Sequence, residues 1–279
     1  MKTDKFMKTS VSLFLSDILP QKRKLYHQIV KNNILDKATV DDDLRRLKEA
    51  GLDGIEICLP QYSRTTEEDI EQVMALSKKN KLPIFSVHQS LRFFSITKLP
   101  EISELMAIAS RMSASLVVLH MNTAQKQIFD KHYIDTLHSL ENKYGITVTF
   151  ENMEKYIASL RKKYIWEAET FANVIEDNGL HITLDVVHLA HSGGDILTFY
   201  EQHKNLIKNI HLSDYRYNMF NSNLRPLRFK HMPLGEGELP IQTFLKLLKK
   251  EHYKGLLTME IHTDLKGICE SIAIINQAK

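Results

Sequence analysis

The sequence predicts a single α/β domain over residues 1–279: a (β/α)8 barrel of parallel strands. Two observations carry that expectation. Short runs rich in β-branched and aromatic residues alternate with longer amphipathic segments from end to end, which is the pattern of a parallel sheet. Eight such units, in a chain of 279 residues, match a closed barrel of roughly 250 residues without a remainder.

The first strand is expected at 10–15. Lysines precede its apolar stretch as they would in a signal peptide, but the stretch is short and Asp17 follows where a small-residue cleavage site belongs, so it reads as a retained strand. A helix over 40–50 comes next, with Thr39 and Asp42 spaced as a capping box and Gly51 just past its end. Strand 54–58 leads to helix 67–80, opened by a second such box at Thr66 and Asp69. Strand 84–88 is followed by helix 100–113, strand 115–120 by helix 130–144, and strand 146–151 by a long helical pattern at 157–178 that Gly179 stops. Strand 181–185 precedes helix 196–203. Strand 207–212 opens into the long irregular stretch 215–239, a loop length that in compact domains is often functional. Helix 240–251, strand 256–261 and helix 265–278 complete the chain.

Alternation within the strands assigns their faces, because successive side chains point oppositely. Ile146, Val148 and Phe150 share one face, Thr147, Thr149 and Glu151 the other. Ile182 and Leu184 oppose Thr183 and Asp185, and Leu257, Met259 and Ile261 oppose Thr258 and Glu260. The apolar face is expected to pack on helices and the smaller polar face to line the barrel.

On that inner face, six metal-binding side chains close successive strands: His88, His120, Glu151, Asp185, His211 and Glu260. In barrels the C-terminal strand ends carry the chemistry. A single strand-end histidine is more often a hydrogen-bonded structural residue than a ligand, and a single acid after a strand is often the next helix's cap. Six in one register are another matter: burying that many ionisable groups in one mouth needs a compensating cation or ion network, and a divalent metal is the simplest. His188, just beyond the sixth strand, and His231, in the loop motif HMPLGEG, are expected to join them.

Composition narrows the classes further. Hydrophobic residues make up 43% and charged residues 25%, ordinary for a soluble globular enzyme. The net charge of +3 gives little weight to a nucleic-acid surface. Cys58 and Cys269 have no short spacing between them, so no disulfide framework or cysteine metal site is expected and a reducing cytoplasm is the default. No run approaches the ~18 apolar residues that cross a bilayer.

The motifs GLDGIEI, TFEN, TLDVVHLAHSGGD, IHLSD, HMPLGEGE and TMEIH, in that order over nearly the whole chain, resemble the xylose isomerase-like TIM barrels, which include sugar phosphate isomerases and epimerases, inosose dehydratase-like proteins and endonuclease IV. For the epimerase branch the resemblance implies one divalent ion (Mn²⁺, Mg²⁺, Co²⁺ or Zn²⁺) held by Glu151, Asp185, His211 and Glu260. It also implies that Glu151 and Glu260 act as acid and base around a metal-stabilised enediolate, with His188 and Arg216 on substrate oxygens. For endonuclease IV it implies three zinc ions, with His88, His120, His188 and His231 joining those four. The chain departs from that pattern at Phe229, where the third zinc needs a carboxylate.

The first expectation is therefore a cytoplasmic, metal-dependent isomerase or epimerase of a sugar, sugar phosphate or polyol, with one ion per chain. His88 and His120 are left to substrate or to a second ion. The alternatives are a zinc-dependent phosphodiesterase at abasic sites in DNA and a metal-binding barrel without catalysis. In HQSLRFF, Arg92, Phe93 and Phe94 fit either a wedge into DNA or a cover over a small substrate, or they pack on neighbouring helices. A homo-oligomer is left open.

Overall fold

Eight parallel strands, β1 (Lys8–Phe14), β2 (Gly54–Leu59), β3 (Ile84–Gln89), β4 (Leu116–His120), β5 (Thr147–Glu151), β6 (His181–Asp185), β7 (Ile207–Leu212) and β8 (Leu256–Met259), pair in chain order, and β8 closes on β1. The computed structural model describes residues 7–19, 35, 39–59, 65–89, 99–121, 130–155, 165, 167–216 and 231–278. The expected parallel barrel is the fold observed.

The alternation read from the sequence sets the layers. Val117, Leu119, Val148, Phe150, Ile182, Leu184, Leu257 and Met259 face outward into the main apolar core, against the surrounding helices. Leu116 and Val118, one residue out of phase, fill the interior with Leu256. Beside them lie hydroxyl pairs: Ser10 Oγ is 2.8 Å from Thr258 Oγ1, and Thr149 Oγ1 is 2.6 Å from Thr183 Oγ1. Helices Val40–Glu49, Glu67–Asn80, Leu99–Arg111, Lys131–Tyr144, Ala168–Asp177, Ile196–His203, Ile241–Lys250 and Leu265–Ala278 cover the outside.

Several boundaries depart from expectation. Helix Glu67–Asn80 opens with the full capping box, Asp69 N donating to Thr66 Oγ1 at 3.2 Å and Thr66 N to Asp69 Oδ2 at 2.8 Å. Thr39 forms no such box. Its backbone, at φ −134° and ψ 23°, leaves the extended region a cap needs, and its hydroxyl turns instead to Asp43 Oδ2 at 3.5 Å. The expected helix at 157–178 is Ala168–Asp177 where described, because Glu167 is extended and caps it; residues 156–164 and 166 lie outside the described residues. β1 ends one residue early, where Asp17 Oδ2 accepts from Phe14 N at 2.9 Å and starts the short helix Leu15–Ile18. β8 ends at Met259, although Glu260 N still reaches Leu212 O at 3.2 Å. An unexpected helix, Val186–His191, starts directly from β6.

Among the described residues no helix is long and apolar enough to cross a membrane. Cys58 and Cys269 are both free.

Candidate metal centre

Five strands and one strand extension deliver the expected ligands to a common point. His120 ends β4, Glu151 β5 and Asp185 β6, His88 and His211 are the penultimate residues of β3 and β7, and Glu260 follows β8. All are buried except Glu260, whose side chain keeps 23% of its surface exposed. One ligand atom from each of Glu151, Asp185, His211 and Glu260 falls within 4.8 Å of the others. His211 Nδ1 stands 2.9 Å from Glu151 Oε1 and 2.9 Å from Glu260 Oε2.

Three further groups share members with this one: Glu56 with His88 and His211, and two more. His88, His120 and Glu151 form the first, with the imidazole Nε2 atoms 3.3 Å apart and 3.3 and 3.0 Å from Glu151 Oε2. Asp185, His188 and His231 form the second, the two rings meeting edge to face at 5.5 Å. His188 Nδ1–H donates to Asn152 O at 3.0 Å and His231 Nδ1–H to Glu260 O at 3.2 Å. Anchoring Nδ1–H on a carbonyl leaves Nε2 as a lone pair, the state in which histidine binds metal.

Whether these residues suit a cation is decided by their unsatisfied atoms. Among the described residues, Glu151 Oε2, Asp185 Oδ2 and Glu260 Oε2 are shut off from solvent and accept no well-aligned hydrogen bond. Buried carboxylate oxygens left this way are strongly unfavourable. A mixed carboxylate and imidazole shell is also the donor set that suits Mg²⁺, Mn²⁺, Co²⁺ or Zn²⁺. The donors therefore fit a divalent ion.

The electrostatics of the bare site agree. Burial pushes the Asp185 carboxyl up to about 7 against the pull of His188. Burial would lower His188, but Asp185 and Glu151 reverse this and hold it at about 9. For Glu151, burial is outweighed by His120 and His211, which take the carboxyl well below its usual range. For His211, burial is outweighed by Glu56, Glu260 and Glu151, which raise the imidazole well above its usual value. Burial takes His231 down to about 3, a neutral imidazole. Protons on imidazoles thus balance the carboxylates, and metal uptake would displace them.

The loop carrying His231 is tied to the motif after β7. Asp214 Oδ2 accepts from Gly235 N at 2.9 Å, its Oδ1 accepts from Leu239 N at 3.1 Å, and its backbone exchanges hydrogen bonds with Met232. A Cβ on Gly237 would collide with the Asp214 carboxylate and the Tyr215 amide, so only glycine lets the loop approach this closely. His231 itself sits at φ 52°, in the left-handed region. Arg216 is exposed and belongs to none of the four groups, its Nη2 donating to Glu236 O at 2.6 Å. Phe229, Arg92, Phe93 and Phe94 lie outside the described residues.

Two residues escaped the sequence reading. Glu56, fully buried in the middle of β2, lies 3.3 Å from His211 Nε2 and 3.6 Å from His88 Nδ1. Its signal was a lone acid in the apolar run GLDGIEI, on the inner face but not at a strand end. Asp214 is the other, legible only as the acid of IHLSD.

Known proteins place these observations. The family described as xylose isomerase-like TIM barrel matches residues 44–278. An uncharacterised protein of Mycobacterium leprae (strain TN) is 23% identical over 235 residues, covering 76% of this chain and 80% of that one. A crystal structure of a D-tagatose 3-epimerase-like protein is 19% identical with a TM-score of 0.68, covering 98% of this chain and 97% of its own. The D-allulose 3-epimerase from Methylomonas sp., crystallised with D-allulose, is 12% identical with a TM-score of 0.61 over 91% of this chain and 83% of that one. At these identities the two structures are similar in fold.

Proposed function

The chain belongs to the xylose isomerase-like TIM barrel family, and from that premise we propose that it is a divalent-metal-dependent isomerase or epimerase of a sugar, sugar phosphate or polyol, working as one barrel domain in the cytoplasm. The observation that carries this reading is the convergence of Glu151, Asp185, His211 and Glu260 within 4.8 Å at the mouth. The sugar epimerases among proteins of similar fold support it.

A divalent ion held by these four residues would supply Lewis-acid polarisation of a substrate carbonyl. The remaining work falls to the side chains. One glutamate takes a proton from the carbon beside that carbonyl, and the other returns a proton to the reacting centre. Their burial divides the roles in space: Glu151, 1% exposed, faces the barrel axis, while Glu260, 23% exposed, faces the entrance. His188, with Nδ1 anchored on Asn152 O, offers Nε2 to a substrate hydroxyl, and the exposed Arg216 is assigned a second substrate oxygen. His88 and His120 serve substrate or a second ion.

The test is proton exchange. Metal-loaded protein incubated with ketoses in D₂O is expected to introduce deuterium beside the carbonyl, and Glu151→Gln or Glu260→Gln to abolish it. Near-normal exchange in either variant, or none by the wild type across ketohexoses, ketopentoses and their phosphates, sinks the reading. Elemental analysis is expected to give one ion per chain.

A second reading is favoured by one observation, the two extra ligand groups at His88–His120–Glu151 and Asp185–His188–His231. It is a zinc phosphodiesterase acting at abasic sites in DNA. Two or three zinc ions per chain and clean incision of an abasic duplex would put it first.

A further inference from the structure

Resting on the reading of His211 as a metal ligand, we infer that Glu56 is the positioning residue of the centre: its carboxylate takes the Nε2–H of His211 and so fixes Nδ1 as the nitrogen that faces the ion. An imidazole can ligate through one nitrogen only if the proton sits on the other. His211 Nδ1 points at the ligand cluster, 2.9 Å from both Glu151 Oε1 and Glu260 Oε2. The proton therefore belongs on Nε2, in a ring with no solvent exposure, where an unpaired N–H is strongly unfavourable.

Glu56 supplies the acceptor. Its Oε1 and Oε2 lie 3.3 and 3.4 Å from His211 Nε2. Ser86 Oγ–H donates to Glu56 Oε2 at 2.7 Å, which sets the plane of the carboxylate. The same group stands 3.6 Å from His88 Nδ1, behind the ring whose Nε2 faces Glu151, so one buried charge backs two imidazoles whose ring centroids lie 5.0 Å apart. Glu56 Oε1 has no well-aligned hydrogen bond among the described residues, which leaves it room to tighten on His211 when Nδ1 takes a metal. Carboxylates that hold a ligand histidine in this way typically contribute 10–100-fold to metal affinity.

The experiment titrates metal-free protein with Co²⁺ alone, following the visible absorption of the ion, for wild type, Glu56→Gln and His211→Ala. Glu56→Gln is expected to keep the stoichiometry and to bind about 10- to 100-fold more weakly. Nitrogen-15 NMR of the Zn²⁺-loaded wild type is expected to show His211 protonated at Nε2 alone, and the variant to shift that Nε2–H resonance as its charged acceptor is lost. A merely structural carboxylate would move neither readout. Wild-type Co²⁺ affinity in Glu56→Gln, with His211→Ala weakened, overturns the inference and leaves the metal centre standing. Binding unaffected by His211→Ala, or no uptake by the wild type, overturns both. Should Glu56→Gln not fold, Ser86→Ala carries the test: a loss of about fivefold, the net worth of one hydrogen bond, supports it, and unchanged affinity overturns it.

Discussion

In the lower layer of the barrel interior, Ser10 pairs with Thr258 and Thr149 with Thr183. One layer up, Glu151, Asp185 and His211 are as deeply buried, yet Glu151 and Asp185 each carry an oxygen with no well-aligned hydrogen bond among the described residues. The lower layer uses neutral hydroxyls that pair with one another and carry no charge. The upper layer uses charges held close together, an arrangement that a neutral network would avoid and that a cation would complete. The difference teaches where this fold gives up stability for chemistry: at the strand ends, over a floor that is electrostatically silent.

The sharpest way to break that contrast is catalytic. Glu151→Gln should lower kcat by about 100- to 10,000-fold, the usual contribution of a general acid or base, whereas Thr183→Val in the floor should leave kcat unchanged; steady-state kinetics on the accepted ketose compares them. Metal removal comes next. An ion that binds only the folded chain, present at a hundredfold its Kd, adds about 2.7 kcal/mol to stability. Urea unfolding with and without chelator should show that difference in wild type and lose it in Glu151→Ala. Smaller again is the loop that brings His231 in. Gly237→Ala should cost about 1–3 kcal/mol by overpacking against Asp214, read as a lower Tm with the strand-end ligands in place. The smallest effect belongs to the floor: Thr183→Val should cost about 1 kcal/mol or less, since Thr149 Oγ1 keeps Val117 O at 3.2 Å, with unchanged metal affinity. A floor substitution that weakened metal binding as much as a mouth substitution would erase the distinction between the layers.

Much of this was legible in the residues. All eight strands follow from short β-rich runs, and the inward direction of Glu151, Asp185 and Glu260 from two-residue alternation. Glu56 obeys the same alternation, but it lies within its strand and not at the C-terminal end, where barrel chemistry is expected. Thr39 looked like Thr66 in sequence, and only its backbone angles deny it the cap. The helix Val186–His191 was hidden because β6 runs into it without a loop, Asp185 serving both as a strand-end carboxylate of the candidate centre and as a cap, its Oδ1 accepting from His188 N at 2.6 Å.

By itself, then, the sequence determined a parallel (β/α)8 pattern and a set of acids and imidazoles on one inner face, because strand periodicity is a local property of the backbone. Which of them meet was decided by closure. Glu56 on β2 reaches His211 on β7 across 155 residues of chain, between strands that are not neighbours in the sheet. Only a barrel curved until β8 joins β1 turns both strands' inner faces toward the same point, and that curvature belongs to the whole sheet and to no segment of it.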